Sequence, residues 1–172
     1  MPRKADQERE ITARLLKHWH QAVPNDRMAH LVKDAARSFL RSLQVRIADH
    51  GVSLGHWVFL RILWEHDGLT QRELSQEAGV MEPTTAVALR AMEDLGLIRR
   101  ERLPDNRKSV YVYLTRKGKG LRAKLVPLAE EVNELAMAGL SSADISTTRR
   151  SLLVMLDNLA GDPQLKAPAA LD

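Results

Sequence analysis

Between Leu97 and Leu114 the spacing of apolar residues switches from helical to alternating, and in this 172-residue chain it does so nowhere else. Residues 97–103 and 109–114 read as two strands. In the second, Val110, Val112 and Leu114 fall on one face and Tyr111 and Tyr113 on the other, the period-two pattern of a half-buried strand. Pro104-Asp105-Asn106-Arg107-Lys108 joins them through residues that favour turns. One hairpin is marginal by itself and needs a body to lie on. The spacing elsewhere predicts that body to be helical, so the fold expected is mainly α with a two-stranded β-hairpin.

The helices are read from apolar spacing and punctuation. Residues 1–9 are polar and expected to fray. Ile11, Leu15, Trp19 and Val23 then recur with helical spacing until Pro24-Asn25 interrupts, and Ala36, Leu40, Leu43 and Ile47 share one face of a second helix ending near Gly51. Ser53 is placed to cap a third helix carrying Trp57, Leu60, Ile62 and Leu63. Thr70-Gln71-Arg72-Glu73 is a capping box, in which hydroxyl and carboxylate satisfy each other's orphan amides. It opens a short helix that ends at Gly79. Pro83 suits the first turn of the next helix, which turns Thr85, Leu89 and Met92 inward and stops at Leu95-Gly96.

Thr115 caps a long helix in which Leu121, Leu125, Leu128, Val132 and Leu135 alternate steps of four and three, a heptad seam. Pro127 inside it predicts a kink or break near Lys124, and Gly139 ends it. A last helix starts at Ser141–Asp144, carries Ile145, Leu152, Leu156 and Leu159, and is closed by Asp162-Pro163. Residues 163–172 are expected to be a disordered tail. The chain thus reads as one domain, with residues 52–115 as a central module flanked by helical regions 10–50 and 116–161. A seam on so long a helix is not expected to be covered within one chain, which predicts a helical homodimer.

Composition narrows the functional classes. Hydrophobic residues make up 44% of the chain, which excludes a disordered protein, and no apolar run is long enough for a bilayer. The charged start MPRKADQERE carries no secretory pattern, so a cytoplasmic location without membrane attachment is expected. Cysteine is absent, which removes disulfides, thiolate metal sites and a cysteine nucleophile. Aromatic residues are 4%, too few for a Tyr- and Phe-rich sandwich. The net charge of +4 is concentrated: residues 97–120 hold eight Lys and Arg against Glu101 and Asp105, so the remainder is slightly negative. That distribution suits a surface facing a polyanion.

The short helices at 70–79 and 83–95, joined through Gly79-Val80, form a helix-turn-helix. With Thr85, Leu89 and Met92 inside, the free face of the second helix is Pro83, Thr84, Ala86, Val87 and Arg90. A helix of this kind beside a basic hairpin is a winged helix-turn-helix, the helix fitting a major groove and the hairpin reaching backbone or minor groove. Ala86 and Val87 suit thymine methyl groups, whereas Arg90 and Thr84 suit a guanine edge or a phosphate.

The run GLTQRELSQEAGVMEPTTAVALRAMEDLGLIRRERLPDNRKSVYVYLTRKG resembles the DNA-binding module of the multiple-antibiotic-resistance regulator (MarR) family. Its most diagnostic pieces are LGLIRR, the Asp105-x-Arg107 wing turn and LTRKG, in that order, and the likeness extends over about residues 30–160. The resemblance implies a homodimeric regulator of double-stranded DNA, usually a repressor relieved by a small aromatic or anionic effector. It implies Arg107 at the wing tip, entering the minor groove, with Asp105 orienting it, and Gln71, Arg72 and Ser75 on phosphates. Arg102 and Lys108 complete the expected DNA-binding set. Apolar residues stand at Ala86 and Val87 where many relatives carry polar ones, so shape reading by Arg107 is expected to contribute to specificity. Two modules on a dyad predict a pseudo-palindromic operator.

Family effectors sit between the dimerisation helices and the DNA-binding module. There, Phe39, Leu43 and Arg46 of the second helix and His56, Trp57, Leu60 and Arg61 of the third suit an aromatic carboxylate, such as a benzoate, cinnamate or nicotinate, or its coenzyme A thioester. The same residues also read as ordinary core with a solvated arginine and a half-buried histidine. Both readings stand at this point.

Other motifs lead elsewhere. Gly51-Val52-Ser53-Leu54-Gly55 matches the G-x-S-x-G nucleophile elbow but lacks the preceding strand and surrounding sheet, and Ser53 as a helix cap accounts for it. His18, His20, His30, His50 and His56 do not place two ligands on one helical face beside a carboxylate, so no metal is expected. The acidic residues Asp6, Glu8 and Glu10 argue against a membrane-surface helix at 11–23. No enzyme and no cofactor are expected. The alternative to an effector-controlled regulator is a structural DNA-binding or protein-interaction module without such control.

Overall fold

Ile47, Leu60, Leu63, Leu74, Leu89, Met92, Ile98, Val112 and Leu125 are almost wholly buried, and the elements that carry them build around that core. The computed structural model describes residues 4–21 and 27–166. The chain divides into two units, the first ending at Asn133 and the second starting at Glu134.

The first unit begins with α1 (Lys4–Gln21) and α2 (Met28–Ala48). Helix α1 starts well inside the segment expected to fray, because Lys, Ala, Gln, Glu and Arg are strong helix formers even without an apolar stripe. The expected interruption at Pro24-Asn25 lies outside the described residues. The Trp19 indole N–H donates to the Asp34 carboxylate at 3.2 Å, tying α1 to α2. On α2 only Leu43 and Ile47 of the expected face are buried, while Leu40 is 49% exposed.

Helix α3 (Leu54–Glu65) is capped by Ser53, whose hydroxyl accepts from the His56 amide at 3.2 Å, and its first amide, Leu54, donates to Gln44 of α2. Ser53 is therefore a helix cap, and the element before it is the helix α2. A strand absent from the sequence expectation follows: β1 (Leu69–Thr70). Thr70 then forms the complete capping box with Glu73 and opens α4 (Gln71–Ala78). Gly79, at φ +62°, supplies the left-handed turn that sends the chain into α5 (Glu82–Asp94).

Strands β2 (Ile98–Leu103) and β3 (Asn106–Leu114) make the hairpin, and the sheet order is β1-β3-β2, antiparallel throughout. Leu69 pairs with Val112 and Ile98 with Leu114, so the sheet's inner face meets the core. The second strand starts earlier than its alternation suggests: Leu103 already pairs with Asn106, and the five-residue loop shrinks to Pro104-Asp105. Register shifts between Glu101 and Leu103. Helix α6 (Arg116–Met137) then runs through Pro127 as one helix, so of the kink or break expected near Lys124 the break does not occur; Leu121, Leu125 and Val132, on either side of the proline, are buried. These three heptad positions are thus covered by the unit's own core, and Leu128 packs against it.

In the second unit, α7 (Ser142–Ala160) opens with a capping box of Ser141 and Asp144 and has no buried residue. A short α8 (Pro163–Lys166) follows, so the expected tail starts as a helical turn, and residues 167–172 lie outside the described set. No described helix is long and apolar enough to cross a membrane.

Candidate nucleic-acid interface

Helix α4 lies on the core through Leu74, and α5 through Thr85, Leu89 and Met92, each at 0% exposure. That fixes the outward face of α5 as Pro83, Thr84, Val87 and Arg90, all exposed, with Ala86 half-buried. Met81, at the N-cap, makes no side-chain cap and is exposed as well. Beside it on α4, Arg72 is exposed and Gln71 half-buried. Ser75 is different. Its side chain is buried and its hydroxyl donates to the Gln71 carbonyl at 3.1 Å, which braces the helix.

The hairpin tip is knitted by Asn106, whose amide donates to the Ser109 hydroxyl (3.2 Å) and the Tyr111 hydroxyl (3.1 Å). Arg102, Asp105 and Lys108 are exposed there. Arg107 lies within β3, but its side chain is outside the described set, and so is the expected contact with Asp105.

The basic residues of 97–120 divide into two groups. Arg99 lies 4.6 Å over the Tyr113 ring and pairs with Glu101. Arg100 donates through Nε and Nη2 to Glu93 at 2.9 and 2.6 Å, while its backbone amide donates to the same carboxylate. These bonds hold the Glu93 carboxyl below the usual carboxylate range. Lys117 donates to the Leu95 carbonyl, and Lys119 pairs with Asp67. Arg102, Lys108 and Arg116 are exposed and form no ion pair among the described residues. The local excess of charge therefore overstates what is available to a polyanion.

The base of the hairpin explains the motif residues around it. Gly96, at φ +67°, turns the chain out of α5, and Leu97 and Ile98 are buried. The Leu97 carbonyl accepts from the Thr115 amide at 3.0 Å, and the Thr115 hydroxyl accepts from the Gly118 amide at 3.1 Å. Gly118 lies so close to the Leu97 carbonyl that a Cβ would overlap it. LGLIRR and LTRKG thus hold hairpin and helix together.

A cleft of about 540 Å³ lies among α3, α4 and α6, lined in part by Trp57, Arg61, Trp64, Glu77, Arg122 and Glu130. Trp57 and Trp64 meet edge to face at 5.7 Å. The Trp64 indole N–H donates to the Gly118 carbonyl at 3.0 Å, and Arg122 bonds the Trp64 carbonyl and Glu65. Of the expected effector residues, only Trp57 and Arg61 line this cleft. Leu43 and Leu60 belong to the core, and Arg46 is held by Ser42 and Glu131. Phe39 is exposed on α2. His56 is half-buried, its Nδ1 has no hydrogen-bond partner among the described residues, and burial lowers its pKa. Trp64 was open to discovery from sequence, since it lies two turns after Trp57. Arg122 comes from a distant helix and had no such signal.

A model of the MarR family matches residues 52–110. The chain is 28% identical over 149 residues to the HTH-type transcriptional regulator TtmR of Methylorubrum extorquens, covering 85% of this chain and 75% of that protein. It is 30% identical over 112 residues to the HTH-type transcriptional repressor Mb2911 of Mycobacterium bovis, covering 65% and 78%. Its fold is similar to that of a MarR transcriptional regulator from Methanosarcina mazei Go1, with a TM-score of 0.71 at 27% identity, over 78% of this chain and 96% of that one. With the helix-turn-helix, its open outer face and the hairpin beside it, these likenesses show that the chain belongs to the MarR family of DNA-binding transcriptional regulators.

Proposed function

We propose that the protein is a homodimeric repressor whose grip on a pseudo-palindromic operator is released by a small aromatic acid. In this reading α5 enters the major groove with Pro83, Thr84, Ala86, Val87 and Arg90 toward the bases. Gln71 and Arg72 sit on phosphates, and the wing presents Arg102, Asp105, Arg107 and Lys108. The effector lies in the cleft, its ring on Trp57 and Trp64 and its carboxylate on Arg61.

The observation that carries effector control is the double role of Trp64. Its ring lines the cleft while its N–H holds the Gly118 carbonyl beside the hairpin base. A ligand that rotates this indole breaks a bond that locates the wing. Support for a second copy comes from apolar faces left in water: Leu152, Leu153, Val154, Leu156 and Leu159 of α7 are 40–62% exposed. The outer face of α2 adds an apolar groove of about 610 Å³ containing Leu40, Val45 and Leu54.

A panel of benzoate-, cinnamate- and nicotinate-type acids tests the reading by thermal melting and operator binding. At least one acid is expected to raise the melting temperature and weaken DNA binding, and Arg61→Ala is expected to lose both responses. A panel without effect on either measurement leaves a DNA-binding module without this control.

A further inference from the structure

Among the described residues, Met81 and Val87 are the most exposed large hydrophobic side chains, at 75% and 69%. Both lie on the helix that faces DNA. Val87 stands in the middle of the outward face of α5, one turn after Pro83 and one turn before Arg90, and Met81 stands at the helix's N-terminal end, the end that reaches base edges in a helix-turn-helix. The charges around them do not suit a phosphate-binding surface. Exposed on α5 are Glu82 and Asp94 against Arg90 alone, and Glu93 is engaged by Arg100. Further exposed cations without an ion pair among the described residues stand on α4 at Arg72 and on the wing at Arg102 and Lys108. On that face Thr84 and Arg90 can meet a base edge or a phosphate, whereas Val87 and Met81 can meet only an apolar feature, and the one that a major groove offers is the thymine 5-methyl group.

We infer that α5 reads its operator through thymine methyl groups, one packed on Val87 and another on Met81, with the wing supplying most of the electrostatic attraction. This rests on the DNA-binding reading above and deepens it. Ala86, half-buried, has a smaller part than its place on the helical wheel suggests, whereas Met81 becomes a reader that the spacing of α5 did not mark.

The test starts with selection of an operator from a random duplex pool by the full-length chain. Each thymine of a half-site is then replaced singly by deoxyuridine, which removes the methyl group and nothing else. One or two positions per half-site are expected to lose about three- to tenfold in affinity, the weight of one buried methyl. Val87→Ala is expected to abolish the penalty at one position and Met81→Ala at the other. Both variants should keep the native melting temperature, since their side chains are mostly in water. If no thymine is sensitive, or if both variants keep the native pattern of penalties, the inference is overturned while sequence-specific binding stands. If the pool yields no enriched sequence, the operator-binding reading fails and this inference fails with it.

Discussion

Arg100 and Arg102 stand two residues apart on β2, yet Arg100 is clamped by Glu93 whereas Arg102 projects into solvent where the register shifts. The two arginines should separate cleanly on mutation. Arg100→Ala is expected to lower stability by about 1 kcal/mol, a value held down by the partial exposure of the pair. Arg102→Ala should leave melting unchanged and flatten the salt dependence of DNA binding by about two units of log–log slope in a dimer, one phosphate per copy. His56 gives a pH signature. Burial favours its neutral form, so its folded pKa lies below the ordinary 6.5. Stability is therefore complete above that value. As pH falls below it, the unfolded chain takes up a proton that the folded chain refuses, and stability declines until the lower folded pKa is passed. Melting curves between about pH 7.5 and 5.5 should show a smaller decline for His56→Gln than for the native chain. Residue identity alone did not distinguish Arg100 from Arg102, because pairing with Glu93 depends on how α5 meets β2.

Where the chain punctuates itself, its elements were legible. Ser53, Thr70-Glu73, Gly79, Gly96, Thr115 and Ser141-Asp144 each start or stop a helix as their local chemistry requires. The inward face of α5 followed from its spacing for the same reason. Elements made by tertiary contact were not legible. Strand β1 is two residues long and exists through its pairing with β3. The heptad seam of α6 was visible as a stripe, but periodicity does not say what covers a stripe, and three of its positions lie in the same unit's core. The same holds for two residues of the expected effector cluster: Leu43 and Leu60 share helices with exposed neighbours and differ only in what packs on them, whereas Trp57 and Arg61 line the cleft. The α6 junction yields a further prediction. Gly118→Ala drives a methyl group into the Leu97 carbonyl and should cost about 2–3 kcal/mol, read as a lower melting temperature, with DNA affinity falling as the hairpin base loosens.

At the scale of the whole molecule, the proposal of two copies makes stability and DNA binding concentration-dependent together. Sedimentation should find a dimer at micromolar concentration, and dilution should lower the melting temperature. With about eight basic side chains of the dimer on phosphates, log affinity should fall against log salt with a slope near −7. A monomer that melts identically at all concentrations contradicts the arrangement. The hairpin base gives this arrangement a mechanical character. Thr115 and Gly118 clamp the Leu97 carbonyl, so the ribbon is stiff at its fulcrum, and nine residues of β3 extend roughly 30 Å beyond it. A tilt of about 5° at such a lever's foot carries its far end some 2–3 Å, roughly the length of one hydrogen bond. The first turn of α6 is thus a place where, on the proposed docking of the wing in a groove, a very small displacement would decide whether the tip still fits.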